Sequence, residues 1–377
     1  MQQVFRGMAE EAAFAAAWRE LGIRRLLLVC GGSFDKLSIR ARLEEISAEA
    51  GTGWVRFSGF QPNPLAESVE SGVRLFRQEG CDGILAVGGG SAMDVAKCIK
   101  LYEAEKFEGE WLSRPQQPNS LPLLAVPTTA GTGSEATRYA VVYREGEKQS
   151  VTDGSLVPQL VWLEPSVLDS LTRRQRLAPM LDAFCHAVEA AWSVNSTEES
   201  WGYAREALAL WQAARAGCLA NEPQGNAGMQ QAAYLAGKAI NITQTTAGHA
   251  MCYKLTSKYG WPHGQSAALC VAVLWPYMLG HLDDCRDVRG ASYLAEVFRQ
   301  LSAALGERSP MAAAVSFAHL LKEWGLWPEM EVSEQELREL ALSVNPVRLK
   351  NHPIELTRED FLGLYRQILQ RGKEHEG

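Results

Sequence analysis

Four side chains in the second half of this 377-residue sequence have the types and spacing of metal ligands. Asp182 and His186 are four residues apart in LDAFCHAVEAAW, which places both side chains on one face of a helix. His249 and His263 follow within the stretch 236–264. One carboxylate and three imidazoles suit a divalent first-row metal, with a coordination position left open for substrate. A single histidine more often has a structural role, so the prediction depends on the four residues together.

Two loops in the first half have the composition of phosphate-binding turns. GGGSAMDVAK, residues 88–97, follows the apolar run ILAV, with Ser91 as a possible N-cap and Asp94 in the first helical turn. PTTAGTGSE, residues 127–135, follows a second apolar run. Glycines let a diphosphate approach the free amides of a helix N-terminus. Alone, the first loop equally fits a tight turn with a good cap, but two such loops after neighbouring strands predict a bound dinucleotide.

The pattern of strands and helices changes along the chain. Apolar runs that are typical of buried strands alternate with helical segments up to about residue 165, and long helical segments follow from Thr172. The strand candidates are RRLLLVCGG, WVRFSGF, DGILAV and LPLLAV. We therefore predict a Rossmann-like α/β dinucleotide-binding domain with a mostly parallel sheet over residues 1–168. An all-α metal-binding domain is predicted over residues 169–377.

Composition excludes several classes of function. The formal net charge is -7 and there is no basic run, which argues against nucleic acid or an anionic membrane surface as the main partner. The chain has no run of eighteen apolar residues, and its N-terminus does not have the pattern of a signal peptide. Its eight cysteines are scattered, without a CxxC pair. These features predict a reducing, cytoplasmic location.

The two loops, the Asp182-x-x-x-His186 helix and the Pro262-His263-Gly264 segment together resemble the iron-containing, or group III, alcohol dehydrogenase family. The resemblance covers nearly the whole chain. It implies an NAD(P)-dependent reaction between an alcohol and an aldehyde or ketone, and a homodimer. It also implies a divalent metal, with Fe²⁺ expected and Zn²⁺ as the alternative, because both accept these ligands.

The resemblance also implies roles for individual residues. Asp182, His186, His249 and His263 correspond to the metal ligands. The residues that correspond to cofactor contacts are Gly31, Gly32, Ser33, Gly88, Gly89, Gly90, Ser91, Asp94, Thr128, Thr129, Thr132, Thr137 and Lys148.

Two positions depart from the family pattern. Tyr253 stands where many members have a histidine that is proposed to relay protons, so we expect His249 and Tyr253 to be catalytic, with water or the cofactor ribose as alternatives to the tyrosine. After the first strand, many NAD-preferring members have an aspartate, and this chain has the run Val29–Ser33 instead. The missing acid fits NADPH, or the use of both NADPH and NADH, although Asp35 could still reach the ribose.

The substrate prediction starts from the polar residues around His249. Cationic and hydroxyl groups there could hold an oxyanion, although each lysine taken singly fits a solvent-facing position as well. The runs 191–200, 239–249 and 343–360 resemble the branch of the family that reduces phosphonoacetaldehyde to 2-hydroxyethylphosphonate. Our candidate substrate contacts are Arg138, Asn195, Asn241 and Lys254.

Three alternative functions remain open at this point. One is reduction of another short-chain aldehyde, such as sulfoacetaldehyde, succinic semialdehyde or a neutral aldehyde. A second is a lyase like dehydroquinate synthase, and the intact glycine loops argue against it. The third is a non-catalytic NAD-binding protein, against which the presence of all four metal ligands argues.

Overall fold

The computed structural model describes residues 2–114, 116 and 118–370. Its strands are β1 (Gln3–Arg6), β2 (Arg25–Cys30), β3 (Gly53–Phe57), β4 (Gly83–Gly88), β5 (Leu123–Pro127), β6 (Tyr139–Arg144), β7 (Glu147–Thr152) and β8 (Leu160–Leu163). Its α-helices are α1 (Glu11–Glu20), α2 (Arg40–Glu49), α3 (Ala66–Gln78), α4 (Gly90–Leu101), α5 (Arg173–Trp192), α6 (Glu198–Leu219), α7 (Pro223–Thr243), α8 (Ala247–Tyr259), α9 (His263–Gly280), α10 (Ala291–Ala304), α11 (Pro310–Glu323), α12 (Glu334–Leu342) and α13 (Arg358–Gln370).

The main sheet has six strands in the order β1-β8-β5-β4-β2-β3, and its neighbouring strands are parallel. Every residue of β4 and β5 is buried, which explains why both appear in the sequence as continuous apolar runs. Because parallel strands end at the same edge of a sheet, the loops that follow β2, β4 and β5 all begin at that edge. The predicted α/β fold with a mostly parallel sheet is confirmed.

The four strand candidates correspond to β2, β3, β4 and β5, and the prediction omitted the other strands. β1 and β8 have only four residues each, too few to show a period, and they pair with each other from opposite ends of the α/β region. β6 and β7 form an antiparallel hairpin outside the main sheet. Only Val151 of β7 is buried, so this strand has too little apolar character to be distinguished from a loop.

Contacts between residues divide the chain into two units. The first comprises Met1–Arg176 and Ala216–Gly237, and the second comprises Leu177–Arg215 and Lys238–Gly377. The first unit contains the parallel sheet, and the second contains the helices α8 to α13. Each contact unit therefore consists of two separate segments of the chain, whereas the prediction had a single domain boundary after residue 168. That domain boundary remains a prediction.

Helix α9 is the centre of the helical unit. It packs against α8, α11 and α13, and its residues from Ser266 to Trp275 are all buried. An α-helix that is apolar on every side belongs in a protein core rather than on a surface. No helix among the described residues is long and apolar enough to span a bilayer. All eight cysteines are free thiols, and only Cys285 is partly exposed.

Candidate metal centre and cofactor loops

Helix α5 carries a stripe of ionisable side chains. Asp182, His186 and Glu189 are spaced by four and three residues, so they share one face of the helix. All three side chains are buried, and Glu189 has no exposed surface at all. Buried carboxylates require charged partners or hydrogen bonds, because isolated buried charges are unstable. The partners are supplied by α8 and α9.

The four predicted ligands meet at one carboxylate oxygen. Asp182 Oδ1 lies 3.3 Å from Nε2 of His249, 3.7 Å from Nε2 of His186 and 3.8 Å from Nε2 of His263. Asp182, His249 and His263 also form a cluster whose ligand atoms all lie within 4.8 Å of one another. With metal–ligand bonds of about 2.0–2.2 Å, tetrahedral ligand atoms are separated by roughly 3.3–3.6 Å. Both the donor types and their spacing therefore fit a divalent metal.

Glu189 is a residue of this centre that the sequence analysis missed. Nδ1 of His249 donates a hydrogen bond to Oε2 of Glu189. The other carboxylate oxygen accepts from the backbone N–H of Thr246 at 2.9 Å and from its hydroxyl at 2.6 Å. Trp192 Nε1 in turn donates to the Thr246 hydroxyl at 2.9 Å. This network fixes the ring orientation and the proton on Nδ1, so Nε2 of His249 faces Asp182 and is the nitrogen that a metal would bind.

The electrostatics of the centre favour bound cations. Burial raises the pKa of Asp182, but the surrounding imidazoles more than offset this and hold it well below its usual range. Burial lowers the pKa of His249, while the Glu189 and Asp182 carboxylates raise it to about 9. Two carboxylates buried beside three imidazoles therefore create a strongly negative environment. The same environment stabilises a divalent metal in place of protons.

Two glycines allow the three helices to approach closely. A Cβ on Gly264, at the start of α9, would lie 1.9 Å from the carbonyl oxygen of Ala178 and 2.9 Å from the backbone nitrogen of Asp182. A Cβ on Gly248 in α8 would lie 3.0 Å from Oε1 of Glu189. Each glycine directly precedes or follows a predicted ligand histidine in the sequence. Their lack of a side chain brings these histidines within reach of α5.

Tyr253 lies beside His263. The two rings are stacked with their centres 5.7 Å apart and their planes 18° apart. Burial is the main cause of a raised pKa at the Tyr253 hydroxyl. The His263 side chain is 38% exposed, whereas the other three predicted ligands are almost completely buried. The centre is therefore most accessible on the side that His263 and Tyr253 occupy.

In the sheet-containing unit, the first glycine loop joins β4 to α4. The N-cap of α4 is Gly89, so Ser91 lies within the helix and the prediction that Ser91 caps it is wrong. A Cβ on Gly88 would meet the Ala92 Cβ at 2.5 Å. Cβ atoms on Gly89 and Gly90 would lie 3.1 Å from Thr129 Oγ1 and 3.0 Å from Thr132 Cγ2. The two predicted loops are therefore in contact, and neither the N-cap Gly89 nor the first residue of α4, Gly90, carries a side chain.

Lys97 joins α4 to the second loop. Its ammonium group donates hydrogen bonds to the carbonyl oxygens of Ser134, Tyr139 and Thr137 at 2.6, 2.7 and 2.8 Å. It also contacts the Thr137 hydroxyl at 3.1 Å, so this predicted cofactor contact already has a buried partner. Thr128 is buried, and its backbone N–H donates to the Gly88 carbonyl at 2.9 Å. Burial lowers the pKa of Lys97 to about 8.

Asp94 lies beside two lysines of the same unit. Burial raises its pKa to about 6, and the charges of Lys97 and Lys148 oppose the shift. Ser134 Oγ lies 3.4 Å from Asp94 Oδ1. Asp94 and Lys148, two predicted cofactor contacts that are 54 positions apart in the sequence, are therefore close enough for their charges to interact.

The loop after β2 carries the run Gly31, Gly32 and Ser33. A Cβ added to Gly31 or to Gly32 would have no atom within 4 Å, so there is free space on the side-chain face of both residues. Asp35 is paired with Arg56, whose Nη1 lies 2.8 Å from Oδ2, and with Arg40 at 3.2 Å. Arg56 Nη2 also donates to the Gly31 carbonyl oxygen at 3.2 Å. Asp35 is therefore neutralised by two guanidinium groups at this turn.

Three of the four candidate substrate contacts, Asn195, Asn241 and Lys254, belong to the helical unit, and Arg138 belongs to the sheet-containing unit. Asn195 donates to Asn351 Oδ1 at 2.8 Å and to the Thr243 carbonyl at 3.3 Å, so its amide N–H groups serve the fold. Lys254 is exposed on α8. Asn241 is partly buried near the end of α7, and Arg138 lies over the ring of Tyr139 in the sheet-containing unit. Their roles as substrate contacts remain predictions.

Two of the residues that the sequence analysis missed had a signal in the sequence. Glu189 continues the spacing of Asp182 and His186, so the helical pattern could have indicated it. Lys97 ends the first loop motif one turn after Asp94. Arg348 lies over the ring of Tyr253, with its guanidinium carbon 4.7 Å from the ring centre. No spacing could have indicated that contact, because 95 positions separate the two residues.

The chain is similar to known proteins over nearly its whole length. Residues 2–165 match the profile of the iron-containing alcohol dehydrogenases, and residues 176–369 match that of the C-terminal domain of the same family. A phosphonoacetaldehyde reductase of Streptomyces viridochromogenes is 32% identical over 313 residues, or 78% of each chain. A lactaldehyde reductase of Escherichia coli is 26% identical over 91% of this chain and 92% of its own. The crystal structure of an iron-containing alcohol dehydrogenase from Thermotoga maritima is 28% identical, with a TM-score of 0.83 over 98% of both chains.

Proposed function

This chain belongs to the iron-containing alcohol dehydrogenase family, and from that membership we propose that it reduces phosphonoacetaldehyde to 2-hydroxyethylphosphonate. The chain is an NAD(P)-linked enzyme of the alcohol dehydrogenase type, and the proposal concerns its substrate. The observation that carries the proposal is the 32% identity to a phosphonoacetaldehyde reductase over 78% of both chains.

The residues that would hold the metal are Asp182, His186, His249 and His263. When bound, a divalent metal supplies Lewis acidity for an aldehyde carbonyl, and the reduced nicotinamide supplies the hydride. Glu189 accepts the proton on Nδ1 of His249, so Nε2 is the nitrogen that would bind the metal. Three neutral imidazoles and one carboxylate leave a divalent ion with a net charge of about +1, which favours an oxygen that gains negative charge.

The residues at the two glycine loops would bind the dinucleotide. The first N–H groups of α4 have no partner within the helix, and the bare positions Gly89 and Gly90 let a diphosphate approach them. Thr129 and Thr132 contact the same positions from the second loop. Lys97 fixes the end of that loop by binding the carbonyl oxygen of Ser134 and those of Thr137 and Tyr139, which follow it. We assign Lys97 a positioning role and the loop backbones the contacts to cofactor.

We propose that the enzyme accepts NADPH. In dinucleotide-binding folds a carboxylate binds the ribose 2′-hydroxyl of NAD, whereas an arginine accommodates the 2′-phosphate of NADP. Here the nearby carboxylate of Asp35 is paired with Arg56 and Arg40. Arg56 also contacts the Gly31 carbonyl, so its charge lies at the turn itself. We further propose Fe²⁺ as the metal, with Zn²⁺ as a functional substitute.

A second candidate substrate is a neutral aldehyde. It is supported by the 26% identity to a lactaldehyde reductase, which extends over more of the chain than the match to the phosphonoacetaldehyde reductase. The two candidates differ in the charge of the group that is attached to the aldehyde. The phosphonoacetaldehyde proposal therefore predicts a higher kcat/KM for anionic aldehydes, and the neutral-aldehyde proposal predicts a higher kcat/KM for neutral ones.

The test is a turnover screen of the purified protein loaded with Fe²⁺ or Zn²⁺. It would compare phosphonoacetaldehyde, sulfoacetaldehyde, succinic semialdehyde, lactaldehyde and propionaldehyde, each with NADH and NADPH. We expect kcat/KM for phosphonoacetaldehyde to exceed that for propionaldehyde by about 100-fold, the ratio that one well-formed charged contact supplies. Higher kcat/KM for the neutral aldehydes would overturn the substrate proposal. His263→Ala should lose both activity and bound metal, and if it retained them the metal assignment would be wrong.

A further inference from the structure

Arg348 lies at the accessible side of the metal centre. Its guanidinium carbon is 4.7 Å from the centre of the Tyr253 ring, and the Tyr253 ring stacks on that of His263. His263 is the most exposed of the predicted ligands. A continuous series of contacts therefore links a permanent positive charge to the part of the centre that a substrate can reach.

The guanidinium of Arg348 is available for an external anion. Within the described part of the chain, it donates no hydrogen bond and has no carboxylate within 4.0 Å. Two other arginines of the same unit are already occupied: Arg289 is paired with Asp287, and Arg286 binds two backbone carbonyls. Arg348 is half-buried, so its charge is less screened than that of an exposed arginine. An arginine on an aromatic face keeps its N–H edge free for a bidentate acceptor.

The backbone around Arg348 is held in place by bonds on both sides. Asn345 caps the short 3-10 helix Pro346–Leu349, because its side chain accepts from the Val347 N–H at 2.9 Å. Arg286 donates to the carbonyl oxygens of Leu349 and His352. The segment is thus fixed immediately before and after Arg348. A cation on a fixed backbone loses less conformational freedom when it binds an anion.

Asn351 anchors the same segment to the region that precedes His249. Its side-chain N–H donates to Gln244 Oε1 at 2.8 Å, and its Oδ1 accepts from Asn195. Its backbone carbonyl accepts from the Val194 N–H at 3.0 Å. Asn195 was a candidate substrate contact, and the structure instead uses it to hold the segment that carries Arg348. The runs around residues 195, 244 and 348 are therefore one connected polar assembly.

We propose that Arg348 binds the anionic group of the substrate and selects aldehydes that carry an oxyanion tail. This inference rests on the proposed function, because it assumes that the aldehyde is reduced at the predicted metal centre. The planar guanidinium can donate two parallel hydrogen bonds to a phosphonate. Tyr253 is a positioning residue in this scheme, because its ring supports both Arg348 and His263. A neutral aldehyde has nothing to offer Arg348, so Arg348 contributes selectivity without contributing to the reduction itself.

The test compares Arg348→Met and Arg348→Gln with Lys350→Met, a matched control that removes an exposed cation two positions away. We expect both Arg348 variants to raise the KM for phosphonoacetaldehyde by roughly 10- to 100-fold and to change its kcat by less than about threefold. Turnover of propionaldehyde should stay within about twofold of wild type. Methylphosphonate should inhibit propionaldehyde turnover by the wild-type enzyme competitively, and its inhibition constant should rise by a similar factor in both variants.

The possible outcomes separate this inference from the proposed function. If the wild-type enzyme does not prefer phosphonoacetaldehyde over propionaldehyde, the proposed function fails. If it does, but both Arg348 variants retain the preference and the inhibition by methylphosphonate, only the role of Arg348 fails. Propionaldehyde turnover also reports folding. An equal loss of turnover with both aldehydes in both Arg348 variants would show a structural role and would overturn the inference. If Lys350→Met raised the KM for phosphonoacetaldehyde as much as the Arg348 variants do, the general charge of this surface would be responsible, and the inference would also fail.

Discussion

The buried pair of Glu189 and His249 determines how a metal could be held. The carboxylate binds Nδ1 of the imidazole, and its other oxygen accepts hydrogen bonds from Thr246. A histidine that is held in this way has one tautomer and one ring orientation, so its Nε2 is ready to bind a cation. Burial raises the pKa of Glu189, but the charge of His249 and the hydrogen bonds together lower it to about 2. Glu189 thus acts on the metal through His249.

Glu189→Gln should weaken metal binding by about 10- to 100-fold, because the amide carries no charge to polarise His249. The measurement is the apparent Kd for Zn²⁺, obtained by competition with a chromogenic chelator. Glu206→Gln, an exposed substitution on α6, is the matched control and should bind like wild type. An unchanged Kd in a folded Glu189→Gln protein would contradict the assigned role.

At the scale of secondary structure, α5, α8 and α9 bring four distant residues to one point. α5 supplies Asp182 and His186 from one face, while His249 lies in the first turn of α8 and His263 is the first residue of α9. The close approach of α9 to α5 depends on Gly264, because the backbone of Ala178 occupies the space that a side chain at position 264 would need. The start of α9 therefore sets the distance between His263 and Asp182.

Gly264→Ala should displace the start of α9 from α5, because its Cβ would lie 1.9 Å from the Ala178 carbonyl oxygen. Overpacking of this kind costs about 1–3 kcal/mol, and we expect metal affinity to fall by at least about tenfold as His263 moves away. Gly280→Ala is the control on the same helix, because its Cβ would have no atom within 4 Å. Zn²⁺ titration and thermal melting of both variants test the prediction, which fails if Gly264→Ala binds Zn²⁺ as tightly as Gly280→Ala.

At the scale of the whole molecule, the predicted metal ligands and the cofactor loops belong to different contact units. Asp182, His186, His249 and His263 lie in the helical unit together with Arg348, and the loops that follow β2, β4 and β5 lie in the unit with the parallel sheet. Each unit has its own buried core, one built on the sheet and one on α9. Metal binding should therefore stabilise the native protein through contacts within the helical unit alone.

Removal of the metal should lower the melting temperature. A ligand at 100 times its Kd adds about 2.7 kcal/mol, which corresponds to roughly 5–10 °C for a unit of 150–250 residues. Thermal melts of the Zn²⁺-loaded protein with and without EDTA measure this shift. Asp182→Asn should melt at the same temperature in both conditions, whereas His319→Ala, an exposed substitution on α11, should behave like wild type. The same EDTA shift in Asp182→Asn would place the metal elsewhere.

The sequence by itself determined the features that are written in local patterns. The buried strands β4 and β5 were predictable because short apolar runs that end at glycine loops are typical of buried strands. The pairing of Asp182 with His186 was predictable because a spacing of four residues is about one helical turn. The predicted fold class and the membership of the alcohol dehydrogenase family also depended on local patterns, and both are confirmed. The strands β1 and β8 were not predictable, because four residues are too few to show a period.

Only the tertiary structure decided which distant side chains meet. It placed Glu189 against His249, although 60 positions separate them, and Lys97 beneath the second loop. In the folded chain Asn195 and Asn351 anchor the segment 345–352. The guanidinium of Arg348, from that segment, lies over the ring of Tyr253. Such contacts depend on helix packing and on the path of irregular segments, neither of which has a period in the sequence. The physical reason is that a residue's neighbours along the chain fix its local conformation, whereas its chemical partners are fixed by the fold.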